Sequence, residues 1–223
     1  NTNGPVADYT VVYCLTDPAL GTKGMAAFVV EKGTPGFVVG NVEDKMGIRS
    51  AQVSDMHLND VRVPAENMIA KPGEGFKLAM KTLDGGRIGV AAQGLGIAKG
   101  AFEVARKYMM ERQQFGKPIC KQQYLAFKLA ELQTKIEAAE LLLFKAAVAK
   151  EEGKPYSVPA AMAKLTCTNV AMEVATEAVQ MLGGNGYMKG YHVERMLRDA
   201  KITQIYEGTN EIQKLVISGP IFR

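Results

Sequence analysis

The densest group of polar side chains in an apolar neighbourhood is the segment Ile205-Tyr-Glu-Gly-Thr-Asn-Glu-Ile-Gln213. Gly208 followed by Thr209-Asn210 is typical of a helix start, and Glu211 then falls in the first helical turn. Glu207 lies outside this cap, between an aromatic residue and a glycine. From these residues two interpretations are open: simple capping of a helix, or a carboxylate that acts as a general base.

A second polar segment, Asp84-Gly-Gly-Arg87, lies inside a stretch with helical periodicity. The two glycines predict a break in the helix, with Asp84 capping the part that follows. The alternative is an anion-binding turn, formed by flexible glycines, Arg87 and a helix N-terminus. Both interpretations predict that the helix is interrupted at this segment.

A third segment, Glu111-Arg-Gln-Gln-Phe-Gly-Lys-Pro118, follows the same helical stretch. It is either a polar end of the helix, with basic residues that complement the helix dipole, or a ligand site. In a ligand site, Arg112 would reach a phosphate and Phe115 would stack on a planar ring. The segment alone does not decide between the two.

Several other motifs lack the spacing that their chemistry requires. Gly94-Leu-Gly96 with Gly100 has the spacing GxGxxxG and no strand before it, so it fails the dinucleotide-binding fingerprint. It predicts instead small residues that let two helices approach closely. His57 and His192 are isolated from any second ligand, so no metal site is predicted.

Composition limits the class of protein. The chain has 223 residues, of which 47% are hydrophobic and 22% are charged, as is usual for a globular protein. No apolar run approaches the ~20 residues of a membrane helix, so membrane insertion is not expected. Three distant cysteines favour a reducing compartment over a disulfide scaffold.

The charge is divided unevenly along the chain. Residues 1–70 have a net charge of −3, and residues 71–223 have +7. The basic residues are spread along the predicted helices, which does not favour nucleic-acid binding. A basic half suits an anionic, nucleotide-like ligand equally well.

The periodicity changes near Pro64–Gly75, from strands to helices. Short β-rich runs with turn residues between them predict strands at 10–15, 25–31, 37–42, 52–58 and 61–63. Three long apolar stripes with steps of three and four residues then predict long helices, and a shorter helix is expected at 211–217. The predicted fold is α+β and mostly α: a partial antiparallel β domain over 1–70, followed by an antiparallel four-helix bundle over 71–223.

Five strings are distributed over most of the chain: EDKMGIRS (43–50), GFKLAMKTLDGGRIGVAAQGLGIA (75–98), ERQQFGKPI (111–119), QMLGGNGY (180–187) and RMLRDAKITQIYEGTNEIQ (195–213). In order and spacing they resemble the acyl-CoA dehydrogenase family, and most closely its short-chain, butyryl-CoA-type members. The resemblance covers the second half of that family's middle β domain and its whole C-terminal bundle. The chain is therefore expected to be a truncated part of such an enzyme, which alone could lack activity.

The resemblance implies roles for individual residues. Glu207 corresponds to the base that removes the α-proton of the substrate; some relatives carry this carboxylate at the position of Gly86 instead, and a glycine cannot serve. The implied substrate contacts are Asp84, Gly85, Gly86, Arg87 and Gly208. The implied FAD contacts are Thr209, Asn210 and Glu211 on the same subunit, and Arg112, Gln123, Gln180, Met181, Leu182, Gly183 and Gly184 on the FAD of a neighbouring subunit.

The resemblance also implies an activity and partners. The activity is FAD-dependent α,β-dehydrogenation of a short-chain acyl-CoA to the trans-2-enoyl-CoA, within fatty acid β-oxidation. The partners are an electron-transferring flavoprotein and further copies of the chain, as a homotetramer. The compartment would be the cytoplasm of a bacterium or the mitochondrial matrix of a eukaryote. The alternatives are a cofactor-free bundle that serves only in oligomerisation, and a flavoprotein of another activity on the same scaffold.

Overall fold

A computed structural model describes residues 1–222. The chain forms two compact units, one over Asn1–Thr82 and one that begins at Leu83. The predicted mostly helical α+β fold is confirmed, with small antiparallel sheets followed by long helices. The predicted domain boundary at residues 70 and 71 stays a prediction.

The first unit contains two small antiparallel sheets. Their strands are β1 (Tyr9–Leu15), β2 (Met25–Glu31), β3 (Phe37–Val42), β4 (Ser54–Leu58) and β5 (Met68–Ala70). Strand β2 is the centre of a three-stranded sheet with the order β1-β2-β5, and β3 pairs with β4. In the β1–β2 pair, Tyr9 lies opposite Glu31 and Leu15 lies opposite Met25.

Four of the predicted strands are confirmed, but the strand expected at residues 61–63 is wrong. Asp60 has a left-handed φ of 52°, which turns the chain, and Pro64 has no N–H to donate to a sheet. The free side of β2 is taken by β5, which was not predicted. The short run Val61-Arg-Val63 beside proline therefore has no partner strand among the described residues.

The second unit is helical. A two-stranded hairpin of β6 (Gln113–Gln114) and β7 (Lys117–Pro118) joins the first two long helices. The three long helices predicted from the apolar stripes are confirmed, as is a helix start at Asn210. The helices are α1 (Gly75–Glu111), which starts within the first unit, α2 (Gln123–Glu151), α3 (Ser157–Leu182), α4 (Gly184–Tyr187), α5 (Val193–Thr203) and α6 (Asn210–Ile221).

The interruption predicted at Asp84–Arg87 is wrong, because α1 runs through this segment without a break. Each glycine in a helix interior costs about 1 kcal/mol relative to alanine. The segment is nevertheless fixed: Arg87 is 6% exposed, and its Nη1 donates to Asp84 Oδ1 at 2.5 Å, one helical turn away. Packing and this ion pair offset the low helix propensity of two glycines.

Helix α3 lies at the centre of the bundle. It packs against α2, α5 and α6, and its buried side chains lie on more than one face. The close approach predicted for the glycines of α1 is confirmed at Gly94, where a Cβ atom would lie 3.2 Å from the carbonyl oxygen of Cys167.

Helix α5 was not predicted, although its buried Val193 and Ala200 have helical spacing. No helix among residues 1–222 is long and apolar enough to span a membrane.

Candidate active site

Glu207 lies in the short turn between α5 and α6. Its φ is +55° and that of Gly208 is +82°, so two consecutive residues have left-handed backbone. Glycine adopts this conformation without steric penalty, whereas glutamate does so only when its surroundings hold it there. The turn presents the Glu207 side chain toward α1.

The Glu207 carboxylate lies directly against Gly86 of α1. A Cβ atom at Gly86 would lie 2.5 Å from Glu207 Oε2, which is closer than any side chain tolerates. By contrast, a Cβ atom at Gly89, one turn further along the same helix, would meet nothing within 4 Å. Position 86 therefore has to be glycine if the carboxylate is to occupy this place. Two predicted site residues that are 121 positions apart in the sequence lie next to each other here.

Buried polar side chains hold the turn from behind. Gln213 is fully buried, and its Nε2 contacts the carbonyl oxygens of Glu207, Gly208 and Thr209 at 3.2, 2.8 and 3.4 Å. Three acceptors on one side require the amide nitrogen to face them. The backbone N–H of Asn210 closes the turn by donating to the carbonyl of Gln204 at 3.0 Å.

Lys164 of α3 also binds the turn. Its side chain is 0% exposed, and Nζ donates to the carbonyl oxygen of Gly208 and to Asn210 Oδ1, both at 2.9 Å. Burial lowers the pKa of Lys164 to about 8, although the carboxylates of Glu211 and Glu207 oppose that shift. On the opposite side, Tyr206 donates its hydroxyl hydrogen to Gln93 Oε1, and burial raises the pKa of Tyr206.

The Asp84–Arg87 pair forms a second polar feature on α1. Asp84 Oδ1 accepts from Arg87 Nη1 at 2.5 Å and from Ser157 Oγ at 3.0 Å. Arg87 Nε is buried and has no partner among the described residues. An arginine with an unused buried donor is suited to a further polar or anionic group. Gly85 packs beside Lys150, whose Nζ would lie 3.5 Å from a Cβ atom there.

Most of the predicted FAD contacts line two clefts. The larger, of about 440 Å³, lies between the C-terminal ends of α1 and α3. Of the seven residues predicted to act on a neighbouring subunit's FAD, six line it, and only Gln123, the first residue of α2, does not. Met181 and Leu182 have buried side chains in the core. The lining residues are Tyr108, Arg112, Gln114, Ile119, Gln180, Met181, Leu182, Gly183, Gly184 and Asn185.

The smaller cleft, of about 180 Å³, lies at the N-terminus of α6. It contains Thr209, Asn210 and Glu211, the residues predicted to contact FAD of the same subunit. Lys201 and Lys214 also line it, so positive side chains and a helix N-terminus face one space. The backbone N–H of Glu211, and the Thr209 hydroxyl, lower the pKa of that carboxyl.

Sequence reasoning missed the residues that support the turn. Lys164 precedes Thr168 by four positions on the buried stripe of α3, so a charged residue in an apolar stripe was the available signal. Gln213 is in the same polar string as Glu207 but had no predicted role. Among the described residues, no group of three or more His, Cys, Asp and Glu side chains could hold a metal ion.

Known proteins match over the whole chain. A family model for the acyl-CoA dehydrogenase middle domain matches residues 1–61, and one for the C-terminal domain matches residues 73–221. The short-chain specific acyl-CoA dehydrogenase of Clostridium acetobutylicum is 59% identical over 100% of this chain and 59% of its own length.

Solved structures also match the whole chain. Butyryl-CoA dehydrogenase from Megasphaera elsdenii has a TM-score of 0.98 at 56% identity, over 100% of this chain and 58% of that chain. A chain from the structure of the electron transferring flavoprotein of Acidaminococcus fermentans has a TM-score of 0.98 at 55% identity, with the same coverage. The chain thus spans less than two thirds of the length of these relatives.

Proposed function

The chain belongs to the acyl-CoA dehydrogenase family, and we propose that it carries the catalytic base of an FAD-dependent dehydrogenase that converts a short-chain acyl-CoA to the trans-2-enoyl-CoA. One observation carries this proposal. The Glu207 carboxylate is held in a left-handed turn against Gly86, with buried side chains behind the turn. General-base catalysis needs a carboxylate whose position is fixed in this way.

In the proposed reaction, Glu207 takes a proton from the α-carbon of the thioester. The electron pair of that C–H bond becomes the new α,β double bond as a hydride leaves the β-carbon. FAD, when bound, accepts that hydride. Negative charge develops on the thioester oxygen, so a backbone N–H near Glu207 is expected to stabilise it.

The two clefts support FAD as the cofactor. Arg112 in the larger cleft suits a diphosphate, because a guanidinium group binds phosphate oxygens. The N-terminus of α6 with Lys201 and Lys214 suits an anionic group in the smaller cleft. These two sets of residues line separate spaces, which supports assignment of the larger cleft to a neighbouring subunit's FAD.

Shared cofactor sites require at least a dimer, and we propose a homotetramer. An electron-transferring flavoprotein is the proposed electron acceptor. This chain is similar to a chain in the structure of an electron transferring flavoprotein, and that similarity supports a flavoprotein as the partner. In a bacterium the protein would act in the cytoplasm, and in a eukaryote in the mitochondrial matrix.

An anaerobic absorption spectrum tests the function. The purified protein, supplied with FAD, is mixed with butyryl-CoA, and the acyl-CoA products are then identified by mass spectrometry. Loss of the flavin absorbance with formation of crotonyl-CoA supports the dehydrogenase. A flavin that stays oxidised favours a flavoprotein of another activity, and a chain that retains no flavin favours the cofactor-free bundle.

A further inference from the structure

We propose that Lys164 is a positioning residue for the base: through the carbonyl of Gly208 and the amide of Asn210, it fixes the turn that aims the Glu207 carboxylate. The inference rests on the proposed role of Glu207. It concerns a residue that touches neither the substrate nor the reacting atoms, and it assigns a use to a fully buried lysine.

The geometry places Lys164 at the centre of the turn's support. Its Nζ contacts the residue that follows Glu207 and the first residue of α6, both at 2.9 Å. These two contacts join the left-handed backbone to the start of a helix. A hydrogen bond donated by a charged group is roughly twice as strong as a neutral one, so Lys164 restrains the turn more than an uncharged donor would.

The fold alone does not require this lysine. Without it, Gly208 would still accept from Gln213 Nε2 at 2.8 Å. Asn210 would keep its contacts with the hydroxyl of Thr168, at 3.0 Å from Nδ2, and with Asn169 Oδ1 at 2.9 Å. Asn210 Oδ1 would keep only the hydroxyl of Thr168, at 3.3 Å, and that hydroxyl also donates to the carbonyl oxygen of residue 164 at 2.8 Å. A methionine of similar length at position 164 is therefore expected to preserve the fold but to loosen the turn.

Burial disfavours the ammonium form of Lys164 most, and charged side chains act on it in both directions. Glu207 and Glu211 stabilise the ammonium form, whereas Arg87 of α1 disfavours it. Lys164 thus lies among the groups of the site rather than in a separate ion pair.

The test compares Lys164→Met with Val174→Ala, which truncates a buried side chain of the same helix away from the turn. Two quantities are measured: turnover of butyryl-CoA, and hydrogen exchange of the backbone amides at 205–210. We expect Lys164→Met to lower kcat about 10- to 100-fold with little change in KM, because a misplaced base slows chemistry more than binding. Exchange at 205–210 should become faster in this variant and stay unchanged in Val174→Ala.

A double-variant cycle with Glu207→Gln separates positioning from general destabilisation. If Lys164 acts through the carboxylate, its replacement has no further effect once Glu207 is glutamine. The proposal is overturned if the losses of kcat from the two substitutions multiply. It is also overturned if exchange at 205–210 in Lys164→Met matches that in Val174→Ala. If Lys164→Met does not fold, Lys164→Gln, which keeps an N–H donor without the charge, enters the same cycle.

The two proposals fail in different ways. Wild-type turnover in Glu207→Gln alone would refute the proposed function. In that case the exchange measurement still decides whether Lys164 holds the turn. Normal exchange and normal kcat in Lys164→Met, with a strong loss in Glu207→Gln, would overturn only the positioning role.

Discussion

The two segments that meet at the candidate site are built in opposite ways. Residues 84–87 form regular helix, although two of the four are glycine. Residues 205–209 form an irregular turn with two left-handed residues, and fully buried side chains hold it in place. In the helical segment, Gly86 leaves space because it has no side chain. In the turn, Glu207 contributes the side chain that fills this space.

This difference shows where rigidity is needed. A helix fixes its own backbone through its hydrogen bonds, so the 84–87 segment needs little further support, which the Asp84–Arg87 pair and the hydrogen bond from Ser157 provide. The turn has no such ladder, and Gln213, Lys164 and Asn210 replace it with side-chain hydrogen bonds. Changes in the turn's support should therefore affect the site more than similar changes elsewhere.

The largest effect is expected from removing the proposed base. Glu207→Gln should lower turnover of butyryl-CoA by ~10²–10⁴-fold, because glutamine cannot accept the α-proton. Glu137→Gln, an exposed position on α2, is the matched control and should keep wild-type turnover. Equal activity in both variants would contradict the assignment of Glu207.

A methyl group on the helix side should displace the same carboxylate. Gly86→Ala places a Cβ atom 2.5 Å from Glu207 Oε2, so the carboxylate has to move. We expect turnover to fall on the order of 10²-fold. Gly89→Ala is the control on the same helix, because a Cβ atom there meets nothing within 4 Å. Identical steady-state kinetics of Gly86→Ala and Gly89→Ala would contradict this expectation.

The left-handed turn should be sensitive to a side chain at Gly208. Gly208→Ala combines an unfavourable φ of +82° with a Cβ atom 3.0 Å from Gln213 Nε2. We expect it to lower the free energy of unfolding by about 1–3 kcal/mol. Gly153→Ala has a φ of +68° without close neighbours, so it should cost less. Thermal unfolding of both variants checks the order, and a greater loss in Gly153→Ala would contradict it.

The buried lysine predicts a pH dependence of stability. The pKa of Lys164 is about 8 in the folded protein, against 10.5 ordinarily. Between these values the unfolded chain binds more protons, so folding becomes more favourable as pH rises from 8 to 10.5. The Tm of the wild type relative to Lys164→Met should therefore increase over this interval. A constant difference in Tm from pH 7 to pH 10 would refute the expectation.

The smallest effect is expected from an exposed lysine. Lys135 Nζ lies 2.6 Å from Glu173 Oε1, but both side chains are well exposed. Such pairs contribute about 0–1 kcal/mol and are screened by salt. Urea unfolding of Lys135→Ala should show a change within this range, and turnover should stay at the wild-type value. A large loss of turnover would contradict the contrast between exposed and buried lysines.

The sequence predicted the turn better than the helix. Gly208, Thr209 and Asn210 carry local turn and capping signals, which do not depend on distant contacts. The continuity of α1 through Gly85 and Gly86 depends on packing, which overrides helix propensity and is not visible in local sequence. Lys164 was missed for the same reason, since its partners are 44 and 46 positions away.

The proposed function requires that the protein removes an α-proton from an acyl-CoA. The most direct test is the rate at which flavin absorbance is lost after anaerobic mixing with butyryl-CoA, either unlabelled or deuterated at C2. If Glu207 breaks the C2–H bond in this step, deuterium slows the loss several-fold, and Glu207→Gln slows it by ~10²-fold or more. Rapid loss that is insensitive to deuterium and unchanged in Glu207→Gln would contradict the account.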